Sequence, residues 1–395
     1  MTRILALQVS PGEVWAALIE GGELVALNLA REGTSDAVGA VFLGRVVALR
    51  PELPAALIDI GTVRPGFLDA RDADKRRGIA GLTEGAAVMV EILKVARADK
   101  AAGLRLLRAD DPRRDSFAAQ AAAATPPARL DRPEPAIVAV AKAFLTSADE
   151  IRIDERGALA ALRQAFPEQA AKIAFHGDTL PLFESLGIAE QVDGVLQPRV
   201  ALPGGGALFI EATQAATMID VDGGERAALA ANLEAAQAAA RQIRLRNLAG
   251  PIVVDFVGMR RREDRDKVAA LFKAACESAA LGAEFLGWTK VGHFELIRAR
   301  RAPALAEILY ERGADGAWRK SALTIALEAL RKIAREAAAQ PGKSIVLAAH
   351  PDIVAALHDG AGLAARRWLD ARLGRPLAVE TDPRRARPAV DIRTN

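Results

Sequence analysis

Two aspartates, Asp220 and Asp255, each lie at or near the end of an apolar, β-prone run: Thr217-Met218-Ile219-Asp220-Val221-Asp222 and Pro251-Ile252-Val253-Val254-Asp255. Acids rarely end two such runs without a partner, because an unpaired buried charge is costly. Carboxylates brought together suit a hard divalent cation such as Mg²⁺. A cation held there supports metal-assisted hydrolysis, with Asp220 and Asp255 as the central pair. Asp222 is a third candidate ligand. The competing reading is that it faces away, or caps the helix that starts near Glu225.

Residues 226–248 between the runs read as a long helix. Strand, helix, strand in that order predicts a right-handed βαβ unit with parallel strands. Both acids then stand near the C-terminal ends of strands in one sheet, where open α/β sheets bind ligands. The pattern predicts a hairpin over 200–213, turning at Pro203-Gly204-Gly205-Gly206. A helix over 265–281 and a strand pair over 283–300 follow. Residues 1–22 alternate like a strand pair. Residues 38–108 hold many short strands with Gly and Pro punctuation, as in a small barrel. Residues 109–136 are rich in Ala and Pro and read as a mobile linker. Helix is expected over 321–338 and strand over 344–349, with an α/β tail.

With 395 residues the chain has room for several cores. Its 51% hydrophobic and 26% charged content is that of a globular protein, not a disordered one. No apolar run of about eighteen residues occurs, so no membrane span is expected, and residues 1–22 do not read as a signal peptide. The single cysteine, Cys276, excludes an intrachain disulfide framework and a Cys-x-x-Cys metal site, and points to a cytoplasmic location. Net charge is only +3, yet residues 241–267 carry eight basic against four acidic side chains. That density suits a polyanion. Aromatic residues are 4% of the chain, which argues against extensive base stacking.

The segments Asn232-Leu233-Glu234, Arg241-Gln242-Ile243-Arg244-Leu245-Arg246-Asn247-Leu248 and Ile252-Val253-Val254-Asp255-Phe256 resemble the signature of the ribonuclease E/G family. Ile219-Asp220-Val221-Asp222 before them, and Gly292, Glu295 and 298–301 after them, extend the match. Gly44-Arg45-Val46, Ala55-Ala56-Leu57-Ile58-Asp59-Ile60-Gly61 and Gly66-Phe67-Leu68 look like that family's S1-type OB-fold. Residues around 346–357 are similar to its small terminal domain.

The resemblance implies an α+β multidomain protein. An RNase H-like domain (1–36 and 137–212) is split by an S1-like barrel (37–108) and a linker (109–136). A DNase I-like catalytic subdomain (213–301), a link (302–320) and a small C-terminal α/β domain (321–395) follow. It implies an endoribonuclease acting on single-stranded RNA to leave 5′-phosphate and 3′-hydroxyl ends. Mg²⁺, with Mn²⁺ as an alternative, is then held by Asp220, Asp222 and Asp255.

Departures from the family pattern point to an alternative, an S1-bearing RNA-binding protein with an impaired nuclease centre. Asp222 stands in place of Asn, Gly258 in place of a carboxylate and Gln214 in place of Glu, and the 222–232 loop is short. The Cys-x-x-Cys zinc link is absent, so no zinc is expected, and a homodimer through the C-terminal region stays open. The segment carrying a 5′-monophosphate grip is also missing from 110–135.

For RNA the candidates are Phe67, on which a base would stack, Lys100, and Arg241, Arg244, Arg246, Arg260 and Arg261. The latter two follow the second acid directly, where a phosphate would also meet a helix N-terminus. Arg241, Arg244 and Arg246 have a competing reading as partners of the helix C-terminal dipole. His176, His293, His350 and His358 show no ligand spacing and are read as non-catalytic. Gly342-Lys343-Ser344 lacks the earlier glycine of a P-loop, so nucleotide binding is rejected.

Overall fold

The computed structural model describes residues 2–32, 38–74, 77–96, 100–313 and 316–394. The chain divides into two units, Thr34–Glu134 with Arg300–Pro303, and Met1–Gly33 with Pro135–Ala299 and Ala304–Asn395.

In the smaller unit five strands close into a barrel: Val41–Arg50, Ala55–Asp59, Gly66–Asp69, Ala87–Lys94 and Gly103–Leu106. Val41–Arg50 closes it by pairing antiparallel with both Ala55–Asp59 and Ala87–Lys94. Alternate residues such as Phe42, Ile58, Leu68, Val90 and Leu104 fill the interior. The expected all-β module is therefore present. The linker expected over 109–136 is instead folded onto it. Asp111 caps the Pro112–Ser116 helix by accepting from the Arg113 N–H, and Arg113 reaches back to the buried Glu91 at 2.9 Å. Ala128–Arg129 adds a strand beside Val41–Arg50. Leu130 is buried with Val41, Leu43, Met89 and Leu107, and Phe117 packs against them. The Ala- and Pro-rich composition hides this because only a few apolar residues anchor the segment.

The larger unit contains a five-stranded sheet in the order Ile173–Phe175, Glu150–Ile153, Arg3–Ser10, Glu13–Glu20, Glu23–Arg31. The first three of these run parallel to one another and the last three form an antiparallel meander. Both faces are covered. Leu5, Leu7 and Leu18 meet Ile137, Val138, Phe144 and Leu162 on one side. Trp15, Ile19, Leu27 and Leu29 meet Leu182, Phe183, Ile188 and Leu245 on the other. Two-sided burial makes Glu13–Glu20 a nearly continuous apolar run rather than an alternating one. Glu13, 2% exposed, pairs with Arg31 at 2.9 Å and Arg331 at 2.7 Å. Arg31 also donates to Thr324 Oγ1 and the Ile308 carbonyl. That network joins the first strands to the Ala322–Ala339 helix. The C-terminal part carries a three-stranded sheet, Ala378–Thr381, Ile345–Ala349 and Val390–Thr394, under the Ala322–Ala339 and Gly360–Leu373 helices. Among the described residues no helix is long and apolar enough to cross a membrane.

The second large sheet has six strands in the order Arg199–Ala201, Ala207–Ala212, Thr217–Asp222, Gly250–Asp255, Phe294–Arg298, Ala283–Trp288. The expected hairpin, βαβ unit and final strand pair are all found. Thr217–Asp222 and Gly250–Asp255 are parallel neighbours joined through the Ala228–Leu245 helix. This helix and Arg262–Ser278 cover one face only, packing on Ile219, Val221, Ile252, Val254, Phe294 and Leu296. Among the described residues of the unit no helix covers the other face in this way, and that face carries Asp220 and Asp255.

Candidate active site on the open face of the second sheet

Strict alternation in Thr217–Asp222 sends Thr217, Ile219 and Val221 into the core and leaves Met218, Asp220 and Asp222 exposed. In Gly250–Asp255, Ile252 and Val254 are buried while Val253 and Asp255 face the other way. The two strands pair with Ile219 opposite Val254 and Asp220 opposite Asp255. Register partners in a sheet share a face, so the two carboxylates stand side by side. Asp255 keeps 49% of its side chain exposed.

The loop after Asp255 is fixed by Asn232, fully buried in the intervening helix. Its amide nitrogen donates to the Val257 carbonyl at 2.7 Å, and its oxygen accepts from the Val257 N–H at 2.9 Å. The preceding hairpin is fixed by Glu234, which accepts from the Gly204 N–H and pairs with Arg226. Those two partners, the Gly204 N–H first, hold its carboxyl below the usual range. Gly206 is required here. Its φ is +84°, and a Cβ would sit 2.2 Å from the Asp222 carbonyl oxygen.

Residues 113–301 match the model described as the Ribonuclease E/G family. Ribonuclease G of Salmonella typhimurium is 24% identical over 97% of this chain and 98% of its own length. That alignment runs over 482 positions, more than the 395 residues of the chain, so the relative carries segments missing here. Ribonuclease E of Escherichia coli is 26% identical over 78% of the chain and 38% of its own length. Ribonuclease E of a Nostoc strain is 39% identical over 35% of the chain and 22% of its own length. Over residues 113–301 the chain is similar to the ribonuclease E/G family.

The other candidate residues are placed unevenly. Asp222 shares the face of Asp220 but lies two residues further on, opposite Ala207. Its Oδ1 accepts from the Gly224 N–H at 2.9 Å, so it caps the turn that follows. Among the described residues no three His, Cys, Asp or Glu side chains gather as a metal-binding group. Of the three expected ligands, Asp220 and Asp255 are register partners, while Asp222 caps a turn. Two hard carboxylates still fit Mg²⁺, which takes one or two from the protein and completes its shell with water and phosphate.

Arg241, Arg244 and Arg246, expected on RNA, are engaged elsewhere. Arg241 donates to the Leu24 carbonyl and pairs with Glu23. Arg244 lies 5.9 Å over the Phe144 ring, and burial lowers its pKa. Arg246 is 4% exposed, bonds to Gln242 and the Gln197 carbonyl, and is pushed down to about 10 by burial. Arg241 and Arg244 thus tie this helix to the layer of the first sheet, and Arg246 ties its end to the segment before Arg199–Ala201. Arg260 and Arg261 are exposed just past Asp255, at the start of the Arg262–Ser278 helix.

In the barrel, Phe67 is half-buried and lies outside the interior cluster, directly opposite Leu57. Lys100 is exposed just before Gly103–Leu106. The aromatic position is thus an outer-surface one rather than core.

One residue of the face, His293, is read from the sequence as non-catalytic for want of ligand spacing. His293 Nε2 lies 3.6 Å from Asp255 Oδ2. The signal for it is local: His293, Phe294, Glu295 and Leu296 alternate, which sets His293 and Glu295 on the face opposite the buried Phe294 and Leu296. Ligand spacing along the chain cannot register a partner on a neighbouring strand.

Proposed function

We propose that the protein is a Mg²⁺-dependent endoribonuclease that hydrolyses single-stranded RNA to 5′-phosphate and 3′-hydroxyl ends, in RNA processing or decay. Asp220 and Asp255 standing in register on an open sheet face is the observation that carries this reading. The two relatives named ribonuclease G and ribonuclease E support the class of enzyme. We read the first sheet as RNase H-like, the barrel as an S1-type OB-fold and the second sheet as DNase I-like.

Mg²⁺, when bound, lowers the pKa of a water and offsets charge on the phosphate oxygens. Asp220 and Asp255 would hold it, and Asn232 keeps the second of them in place by pinning the Val257 backbone. Arg260 and Arg261 would draw a flanking phosphate toward the helix N-terminus beside them. Phe67 on the barrel surface would stack on a base, with Lys100 near the backbone. An exposed sheet face suits a flexible single strand.

The test is cleavage of a fluorescent single-stranded RNA, in Mg²⁺ or in EDTA, by the wild type and by Asp255→Asn. Cleavage by the wild type alone, and only with Mg²⁺, is expected. A wild type no faster than the variant sinks the enzyme reading. Equal RNA affinity of both would then favour the second reading, an RNA-binding protein with an impaired centre. The side chain of Asp222, turned to Gly224, is the observation on that side.

A further inference from the structure

We infer that His293 is a positioning residue of this centre, orienting the Asp255 carboxylate through its Nε2–H. The inference rests on the nuclease reading above. Phe294–Arg298 runs antiparallel beside Gly250–Asp255, with Glu295 opposite Val253 and Phe294 opposite Val254. One further step in that register brings His293 opposite Asp255. Asp220, Asp255 and His293 thus form one row across three neighbouring strands on the open face. The imidazole Nε2 lies 3.6 Å from Asp255 Oδ2, longer than a hydrogen bond but closed by a small rotation. Such contacts commonly tighten only when a site is loaded.

The histidine is firmly placed. Its N–H donates to Thr289 Oγ1 at 3.1 Å, and its carbonyl accepts from the Thr289 N–H at 2.8 Å. Gly292, at φ +101°, permits that turn. The next residue, Phe294, is 1% exposed, with its ring centroid 5.6 Å from that of Phe272 and 5.3 Å from that of Trp288. His293 itself keeps 34% of its side chain exposed. The charged groups around it are Asp255 and Asp220 in the row, Glu295 two residues along the same face and Lys290 in the turn. A donor on Oδ2 fixes the carboxylate plane and leaves Oδ1 for a cation. Partners behind a ligand of this kind typically change metal affinity or activity by about 10–100-fold.

The experiment compares wild type, His293→Leu, His293→Gln and Asp255→Asn for kcat and KM on single-stranded RNA, and for Mn²⁺ affinity by calorimetry. Thermal melting checks that each variant is folded. His293→Leu should lower kcat and Mn²⁺ affinity by about 10–100-fold with KM for RNA unchanged, and His293→Gln, which keeps an N–H, should recover most of both. If Asp255→Asn is dead while His293→Leu matches wild type in kcat and Mn²⁺ affinity, the inference fails and the nuclease reading stands. A rise in KM alone also overturns it, since His293 would then contact RNA. If wild type does not outpace Asp255→Asn, the nuclease reading fails. Mn²⁺ affinity then decides the inference by itself, and an unchanged or undetectable value in His293→Leu and wild type alike overturns it.

Discussion

Two sheets of this chain each carry an acid where parallel strands end, and the two acids have opposite fates. In the first sheet Asp154 follows Glu150–Ile153 directly. Its Oδ1 accepts from the Val9 N–H at 2.8 Å, and burial pushes its pKa up to about 6 despite that bond and the nearby His176. In the second sheet Asp255 ends its strand and stands in register with Asp220, two residues before the end of its own, on an exposed face. The first sheet is covered on both faces, so its lone acid serves the backbone. The second is covered on one, which leaves its paired acids exposed. An aspartate at a strand end is thus not a site by itself. A second acid in register and an open face are what set the candidate site apart.

Exchanging acids between these environments should separate the two roles. Asp255→Asn, or Asp220→Asn, should reduce RNA cleavage by about 10²–10³-fold, since a metal supplies several kcal/mol of charge stabilisation. Retention of a tenth of wild-type rate by either would break the comparison. Phe67→Ala should weaken RNA binding by about 1–3 kcal/mol with chemistry intact at saturating RNA, as fluorescence anisotropy and single-turnover rates would report.

For Asp154 the readout is stability rather than activity. Its folded value of about 6 lies above the ordinary 3.8, so the native state holds the extra proton between those values. Wild-type stability should therefore fall as pH rises from about 4 to 6, by on the order of 1–2 kcal/mol after discounting for solvent. Asp154→Asn should remove that slope in urea titrations. Parallel profiles for the two proteins would contradict the buried assignment.

Smaller effects sharpen the boundary of the site. Asp222→Asn should leave cleavage within about threefold of wild type, as expected for an exposed turn cap. Arg261→Ala should reduce the salt slope of RNA binding by about one. Arg246→Met should leave that slope alone and lower the melting temperature.

Much of the second sheet is legible in the sequence because only one of its faces is buried. Alternation over 217–222 fixes which side chains share a face, and the helix between the runs fixes that the strands are parallel. The first sheet is harder to read, since two-sided burial erases the alternation of Glu13–Glu20. Arg241 and Arg246 mislead for a related reason. A run of arginines looks solvated until the distant backbone carbonyls that hold them, of Leu24 and Gln197, are in view. His293 is set aside from the sequence because its neighbour Asp255 lies across a strand pairing rather than along the chain. Residues 109–136 are missed because a few anchors, Leu130 and Arg113 among them, hold a segment of otherwise linker-like composition.

The buried Glu13 joins residues far apart in the order of synthesis. Its partner Arg31 is made at once, but Arg331 and the Thr324 hydroxyl that Arg31 grips come some 300 residues later. At a translation rate of about 5–20 residues per second, that gap is roughly 15–60 s. During it the N-terminal meander holds a half-partnered carboxylate and an arginine without its final acceptors. The first-made strands thus reach their finished state among the last, once the Ala322–Ala339 helix has left the ribosome.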